Sequence, residues 1–164
     1  MSLPLIAQLG LTNCVLHEET VIVTGGGGGI GLEAVRSLLW LGANVVIAEI
    51  NTTNGELAAE KLAAEFDPER VVFLHTDVGD ETRVQKLYRE SVRRFGKVDV
   101  VINNATIAVV GQVVDLAIED WDRSYKVNLR GPVLMAKTFL PDMISRNHGV
   151  FICVSSTGTM FLGG

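Results

Sequence analysis

Val21-Ile22-Val23-Thr24-Gly25-Gly26-Gly27-Gly28-Gly29-Ile30-Gly31 is the stretch that decides the fold. An apolar β-branched run leads into a glycine loop, and a helical pattern leaves it, with one predicted apolar face made of Ile30, Ala34, Leu38 and Leu41. A strand, a glycine turn and a helix open a dinucleotide-binding βαβ unit. Glycine is needed there because the turn is tight, the backbone approaches a pyrophosphate and the helix packs close to the strand. A flexible linker without function is the alternative interpretation, but linkers do not usually join a buried strand to an amphipathic helix.

The composition limits the classes of protein that need considering. The chain has 164 residues, of which 48% are hydrophobic, and a net charge of −5, so it is long enough for one domain with a substantial core. Mild acidity argues against a nucleic-acid surface. No apolar run is long enough to span a membrane, and residues 1–10 have no positive charge ahead of an apolar core. We therefore expect neither a nucleic-acid partner nor a membrane partner, and no signal peptide.

The two cysteines, Cys14 and Cys153, do not have the spacing of metal ligands, and we predict no metal site. Both lie among apolar residues. We expect the Cys153 thiol to be buried and the compartment to be the reducing cytoplasm.

Strands and helices alternate along the chain. Apolar runs predict strands over 20–24, 44–49, 71–75, 98–102 and 149–154. Helical spacing predicts helices over 30–41, from Asn54 (as a cap) to Pro68, over 81–95 and over 118–146. The pattern predicts an α/β fold, a Rossmann-type three-layer α/β/α sandwich with parallel strand order 3-2-1-4-5, incomplete at its C-terminal side. Residues 1–17 are predicted to be an N-terminal extension, and residues 18–164 one domain.

The long helix over 118–146 has an apolar stripe that includes Trp121, Tyr125 and Leu129. We expect Trp121 and Tyr125 to anchor this helix in the core, and the alternative is a platform for substrate.

Polar residues or glycine follow the predicted strands where each one ends. Gly25, Glu49, Asp77 and Asn103 stand at four strand ends, and Ser156 follows the fifth strand. The carboxyl ends of parallel strands meet at one edge of a sheet, where ligands bind at the switch in strand order. This convergence is stronger evidence for a site than the glycine loop alone.

The combination of motifs resembles the short-chain dehydrogenase/reductase family. The matching segments span residues 20–164 and are Thr24-Gly25-x-x-x-Gly29-Ile30-Gly31, Asp77-Val78, Asn103-Asn104-Ala105, Val127-Asn128-Leu129 and Ser155-Ser156. The resemblance implies that residues 18–164 are a truncated NAD(P)-binding Rossmann domain. It also implies a nicotinamide dinucleotide cofactor, a small alcohol or carbonyl substrate, and a homo-oligomer, since family members commonly pair the long helix between subunits.

The resemblance places the cofactor against the glycine loop and against the next strand ends. It assigns cofactor contacts to Thr24, Gly25, Gly29, Ile30, Gly31, Asp77, Val78, Asn104 and Ala105, with Asp77 and Val78 at the adenine. Helix capping is the alternative role for Asp77. In place of the glycine that usually follows Ala105 in the family, this chain has Thr106, which we expect to stiffen the loop or to crowd the ribose.

Glu49 bears on the choice between NAD and NADP. It ends the second strand, 20 residues after Gly29, where a carboxylate accepts a ribose hydroxyl and repels a 2′-phosphate. No Arg or Lys lies in the glycine loop or directly after Glu49. We therefore expect NAD to be preferred over NADP. A solvated acid at a strand end is the alternative interpretation.

Two residues match catalytic positions of the family. Ser156 matches the serine that hydrogen-bonds the reacting oxygen, and an ordinary serine-rich turn is its alternative. Asn128 matches a residue whose carbonyl binds a water of the proton relay. Pro132 has no N–H to donate to that carbonyl, which also fits a simple helix kink.

The family's catalytic tyrosine, with a lysine four residues later, does not occur in this sequence. Tyr88 and Tyr125 are followed at that spacing by Val92 and Leu129. The chain is therefore interpreted as a fragment of a dehydrogenase, or alternatively as a nucleotide-binding protein without hydride transfer. A methyltransferase would not predict the Asn-Asn-Ala and Ser-Ser segments, and a purely structural module leaves the polar strand ends unexplained. We expect the fifth strand, apolar throughout, to be an aggregation-prone edge.

Overall fold

The computed structural model describes residues 11–156 as a five-stranded parallel sheet with helices on both faces. The strand order is β3-β2-β1-β4-β5, which confirms the predicted fold class and order. The strands are β1 (Thr20–Thr24), β2 (Asn44–Glu49), β3 (Val71–His75), β4 (Val100–Asn103) and β5 (Val150–Cys153). The helices are α1 (Gly29–Trp40), α2 (Thr52–Glu65), α3 (Glu81–Phe95), α4 (Ile118–Tyr125) and α5 (Gly131–Ser145).

Two hydrophobic cores hold the three layers together. One core packs α1 and α2 against the sheet through Val35, Leu39 and Leu62, all nearly without solvent exposure. The other packs α3 and α5 against the opposite face through Leu87, Met135 and Phe139. The central strands alternate their side chains between these cores, which is why they consist of β-branched residues on both faces.

The starts of α1 and α2 differ in detail from the prediction. The buried line of α1 runs through Gly31, Val35 and Leu39, because Gly31 packs against the glycine loop. Ile30 is therefore 77% exposed, and its prediction as part of the apolar helix face is wrong. The cap of α2 is Asn51, whose side chain accepts a hydrogen bond from the backbone N–H of Asn54. The prediction that Asn54 caps α2 is therefore wrong, because Asn54 lies in the first turn and donates its N–H to the capping side chain.

The predicted long helix is interrupted by a π-turn, Lys126–Arg130, between α4 and α5. The N–H of Gly131 donates to the carbonyl of Lys126, five residues earlier. Pro132 follows directly and has no N–H to continue the regular α-helical pattern at Asn128. The helix accommodates the proline by widening one turn, and such turns occur frequently at functional sites.

The predicted burial of Trp121 and Tyr125 is wrong. Their side chains are 47% and 61% exposed, and Leu129 is 56% exposed. α4 has no buried residue and contributes none to either core, so its apolar stripe lies outside both. A hydrophobic stripe shows that a helix is amphipathic, but it does not show which surface covers it.

β5 lies at the edge of the sheet among the described residues, as its place in the strand order predicts. Its side chains are not buried on both faces, as a core strand's would be, since Val150 and Ile152 are 52% and 41% exposed. The prediction of a buried Cys153 thiol is wrong for the same reason, and both Cys14 and Cys153 are free and exposed. An apolar edge strand favours association with other chains.

A charged network closes the amino end of the sheet around the fully buried carboxylate of Asp99. It accepts a hydrogen bond from the backbone N–H of Thr20 at 3.0 Å, and it pairs with Lys97 at 3.1 Å and Arg146 at 3.0 Å. Burial alone would raise the pKa of Asp99, but these three donors outweigh it and the pKa lies below its usual value. The carboxylate is thus ionised and ties β1, the approach to β4 and the end of α5 together.

We expect Asp99→Asn to destabilise the fold at pH 7 by about 2–4 kcal/mol, because it leaves Arg146 and Lys97 without their buried counter-charge. The folded-state pKa of Asp99 is lowered, so its stabilisation is complete above the unfolded pKa near 4 and is lost as the pH falls through the folded-state pKa. Thermal unfolding from pH 7 to pH 2 should show the gap between the variant and the unsubstituted chain narrowing at the acid end. A gap that stays constant over this range would contradict the assignment.

Residues 11–19 pack against the corner between α1 and β2. The N–H of Leu16 donates to the carbonyl of Leu41, and the Leu16 side chain contacts the core under α1. Within residues 11–156, no helix has the length and the apolar character required to cross a membrane.

Candidate functional site

A cavity of about 650 Å³ opens at the carboxyl edge of the sheet, where β1, β2, β3 and β4 end. Eight of the ten residues predicted to contact the cofactor line it: Gly25, Ile30, Gly31, Glu49, Asp77, Val78, Asn104 and Ala105. Thr24 and Gly29 lie outside this lining. The cavity lies at the switch in strand order between β1 and β4, where ligands of open α/β sheets bind.

The glycine loop is packed so closely at Gly31 that a side chain does not fit. A Cβ placed there would lie 2.2 Å from the carbonyl oxygen of Gly25 and 2.7 Å from Nδ2 of Asn104. Gly25 has a φ of +66°, in the left-handed region that favours glycine. These two glycines bring the amino end of α1 onto the cavity wall, where backbone N–H groups and the helix dipole attract an anion.

Thr24 and Asn104 fix this loop to the end of β4. The Thr24 hydroxyl oxygen accepts hydrogen bonds from the backbone N–H groups of Asn104 and Ala105, both at 3.0 Å. Asn104 returns a side-chain hydrogen bond to the carbonyl of Thr24, also at 3.0 Å. Asn103 bonds the neighbouring strand on the opposite side, where its side-chain amide donates to the carbonyl of Ile152 on β5. The two asparagines thus hold the central sheet and the glycine loop together.

Glu49 is held by the backbone at the end of β2. Its Oε1 accepts the N–H groups of Ile50 at 2.9 Å and of Asn51 at 3.0 Å, and its Oε2 accepts the N–H of Gly27 at 3.3 Å. These contacts argue against the interpretation of a simply solvated acid. A carboxylate has about four acceptor positions, so one remains for a hydroxyl in the cavity.

Asp77 is paired with a lysine that lies 49 residues later in the chain. Its Oδ2 accepts the Lys126 ammonium at 2.7 Å, and its Oδ1 accepts the N–H of Gly79 at 2.9 Å. Partial burial would raise the pKa of Asp77, but the hydrogen bonds from Lys126 and Gly79 outweigh it and the pKa is lowered. Asp77 does not cap α3, because Asp80 accepts the capping hydrogen bond from Arg83. Asp77 is therefore an ionised acceptor on the cavity wall.

Asn128 lies on the π-turn and fastens the loop after β4. Its Oδ1 accepts the Thr106 hydroxyl and the Ile107 N–H, both at 3.0 Å. Its Nδ2 donates to the Ile107 carbonyl at 2.8 Å and to the Ser124 hydroxyl at 3.1 Å. All four hydrogen bonds that an amide side chain readily makes are thus formed. Thr106, the departure from the family pattern, joins this loop to the π-turn through its hydroxyl, which supports the expectation of a stiffer loop.

Ser156 lies three residues past the end of β5, at the same edge of the sheet as the cavity. Neither Ser156 nor Asn128 lines the cavity itself. Neither tyrosine offers an acid at this edge. Tyr88 packs edge-on against Phe139 on the far core, with ring centroids 5.4 Å apart, and Tyr125 lies on the outer face of α4.

Sequence reasoning missed the contribution of the helix end to the cavity. Arg123, Lys126 and Val127 line it, and so does Ile107. The absence of Arg and Lys from the glycine loop and from the residues directly after Glu49 therefore does not keep cations out of the cavity. Lys126 and Arg130 are one helical turn apart, on either side of Asn128, and this spacing indicates that both side chains lie on one face of the helix. The spacing does not identify the group with which either cation pairs.

The short chain dehydrogenase family model matches residues 19–162. An uncharacterised oxidoreductase from Thermotoga maritima is 37% identical over 143 residues, which cover 87% of this chain and 55% of the relative. A meso-2,3-butanediol dehydrogenase from Serratia marcescens is 34% identical over 147 residues, covering 90% and 56%. A solved structure from Novosphingobium aromaticivorans, of a protein assigned to the short-chain dehydrogenases, superposes with a TM-score of 0.86 at 30% identity, covering 91% and 56%.

The chain belongs to the short-chain dehydrogenase/reductase family. It spans about half the length of the relatives that it matches.

Proposed function

We propose that this chain carries the dinucleotide-binding part of an NAD-dependent oxidoreductase acting on a small secondary alcohol or carbonyl compound. The observation that supports it most is the cavity lining, in which the glycine loop, Glu49, Asp77 and Asn104 converge from four strand ends. When bound, the nicotinamide dinucleotide supplies the hydride acceptor or donor. The chain's own residues bind and orient it.

The residues of the cavity fit such a cofactor. The amino end of α1 has no acidic side chain in its first turn, so its N–H groups are suited to a pyrophosphate. The remaining acceptor position of Glu49 suits a ribose hydroxyl. Asp77 and Val78, with the roles that the family implies for them, would hold the adenine. A volume of about 650 Å³ lies within the usual range for ligand pockets.

Cofactor choice follows from Glu49. We expect NAD to bind about 5- to 150-fold more tightly than NADP, because a 2′-phosphate beside this carboxylate costs about 1–3 kcal/mol. Calorimetric titration of the 164-residue chain with each dinucleotide measures this ratio. Glu49→Gln keeps the size of the side chain and removes its charge, so we expect it to narrow the ratio to about threefold.

Glu56→Gln is the matched control, since Glu56 is an exposed acid on α2 outside the cavity, and it should leave the ratio unchanged. Equal or tighter binding of NADP by the unsubstituted chain would refute the preference. Absence of binding by either dinucleotide would refute the proposed function.

We propose Ser156 and Asn128 as the catalytic residues that this chain contributes. Ser156, at the carboxyl edge next to β5, would hold the reacting oxygen of the substrate through its hydroxyl. The carbonyl of Asn128 lacks an i+4 donor because of Pro132, which leaves it suited to orient a water. Four side-chain hydrogen bonds position Asn128 for this role.

Nucleotide binding without hydride transfer is the second candidate. It is favoured by one observation, that Tyr88 is packed in a core and Tyr125 faces outward, so neither places a phenol at the site. The coding sequence past codon 164 distinguishes the two candidates. An in-frame Tyr-x-x-x-Lys segment supports hydride transfer, whereas a stop codon supports binding alone.

We further propose that the protein forms a homo-oligomer and that it lies in the reducing cytoplasm. The exposed apolar stripe of the α4–α5 region supports the first proposal, that of a homo-oligomer, because stripes of this kind mark association surfaces. Two free cysteines support the second.

A further inference from the structure

The π-turn Lys126–Arg130 bonds two separate loops at the carboxyl edge of the sheet. Lys126 pairs with Asp77 at 2.7 Å, and Arg130 donates to the carbonyl of Gly79 at 3.1 Å. Both partners belong to the loop after β3, which we call the adenine rim (residues 76–79). Asn128 bonds Thr106 and Ile107, which belong to the loop after β4. We call residues 104–107 the β4 rim.

Helix geometry explains why one short turn reaches two loops. Residues four apart lie on one face of a helix, whereas residues two apart point in nearly opposite directions. Lys126 and Arg130 thus share a face toward the adenine rim, and Asn128 between them points to the β4 rim. The two rims lie on different walls of the same cavity, and both contribute lining residues to it.

The contact with the adenine rim is close as well as charged. A Cβ on Gly79 would lie 2.5 Å from Cγ of Lys126, which shows that the lysine stem lies directly on that glycine. A Cβ on Gly131 would lie 3.0 Å from Cγ2 of Val78. Displacement of the turn therefore displaces the adenine rim. Because Asn128 belongs to the same rigid turn, the β4 rim would move with it.

We propose that the π-turn is a two-sided clamp that holds both rims of the cavity at one separation, with Lys126 and Thr106 as its positioning residues. Lys126 acts through Asp77, and Thr106 acts through Asn128. Neither is assigned a direct contact with the ligand. The inference rests on the proposed function only in naming the ligand, an adenine dinucleotide.

The test uses variants that each remove one polar group and keep the shape. Lys126→Met retains the stem on Gly79 and removes the ammonium, and Thr106→Val removes the hydroxyl. Lys61→Met and Thr82→Val make the same changes on exposed positions of α2 and α3 and serve as controls. Calorimetry with 5′-AMP measures binding of the adenosine half of the dinucleotide, without the nicotinamide half.

We expect Lys126→Met to weaken 5′-AMP binding about 10-fold. Thr106→Val should weaken it about fivefold, although Thr106 has no contact with Asp77 in the hydrogen-bond network. The double variant should lose no more than about 20-fold, less than the product of the single effects, because either change releases the same turn. AMP binding within twofold of the unsubstituted chain for Thr106→Val would overturn the clamp.

Amide hydrogen exchange tests the coupling without any ligand. Lys126→Met should speed exchange at the N–H of Ile107, and Thr106→Val should speed it at the N–H of Gly79, each on the opposite rim. The N–H of Asn54, bonded to Asn51, should be unaffected. Exchange that changes only on the substituted side would overturn the clamp. If the unsubstituted chain binds neither NAD nor AMP, the proposed function fails, and the exchange result still decides the clamp.

Discussion

Gly31→Ala is expected to abolish measurable NAD binding, with a loss of at least about 100-fold in affinity, or about 2.7 kcal/mol. The added Cβ would lie 2.2 Å from a backbone oxygen, that of Gly25, and 2.7 Å from Nδ2 of Asn104. Backbone cannot move aside as a flexible side chain does, so the amino end of α1 must shift away from the loop. That shift breaks the arrangement of N–H groups for a pyrophosphate and costs about 1–3 kcal/mol of stability through overpacking.

Gly28→Ser provides the control for stability. It places a larger side chain in the same loop, but nothing lies within 4 Å of the new Cβ, and the φ of −168° is extended backbone that any residue adopts. Serine also suits this position because Gly28 is the cap residue of α1. Thermal unfolding should show little change for Gly28→Ser and a lowered melting temperature for Gly31→Ala. Unchanged NAD affinity and melting temperature in Gly31→Ala would show that the loop is not packed as described.

The fold was predictable because its central strands have a strong sequence signal. Val21–Val23 and Val45–Ile47 are buried on both faces of a parallel sheet, so they are apolar without alternation. Glycine or polar residues end each of these runs, and the carboxyl ends of parallel strands meet at one edge of the sheet. Most of the residues that line the cavity could therefore be predicted from the strand ends. The sequence signal for burial was weaker at the edge of the sheet. β5 has the same apolar composition as the core strands, yet its side chains are largely exposed, since composition does not reveal what lies beyond the last strand.

The part of the site that was missed depends on contacts between segments distant in the sequence. Asp77 and Lys126 are separated by 49 positions, and Thr106 and Asn128 by 22, so no local pattern links them. Pro132 predicts an unpaired carbonyl at Asn128, with a simple helix kink as the alternative. The π-turn that directs Lys126 and Asn128 to opposite loops depends instead on the packing of the whole helix. Local sequence patterns predict helices and strand ends, whereas the pairing of charged side chains between loops is visible only in the folded structure.

The error at Trp121 and Tyr125 has a physical meaning, because these side chains continue into a longer exposed stripe. Trp121, Tyr125, Leu129 and Val133 follow at intervals of four residues and are 47–61% exposed. Two such stripes in antiparallel contact, centred on Leu129, would bury these four apolar side chains of each copy against those of the other. A two-fold pairing of this kind is self-complementary.

Leu129→Lys is accordingly expected to weaken self-association by at least about 100-fold, because the two-fold axis would place two like charges together in a desolvated contact. Leu57→Lys is the matched control, since Leu57 is a leucine of similar exposure, 59%, on α2 at the opposite face of the sheet. Sedimentation equilibrium of the three chains over a concentration series measures the dissociation constants. We expect the control to associate like the unsubstituted chain and Leu129→Lys to remain monomeric at concentrations at which both others form dimers. An unchanged dissociation constant for Leu129→Lys would exclude the stripe as the interface.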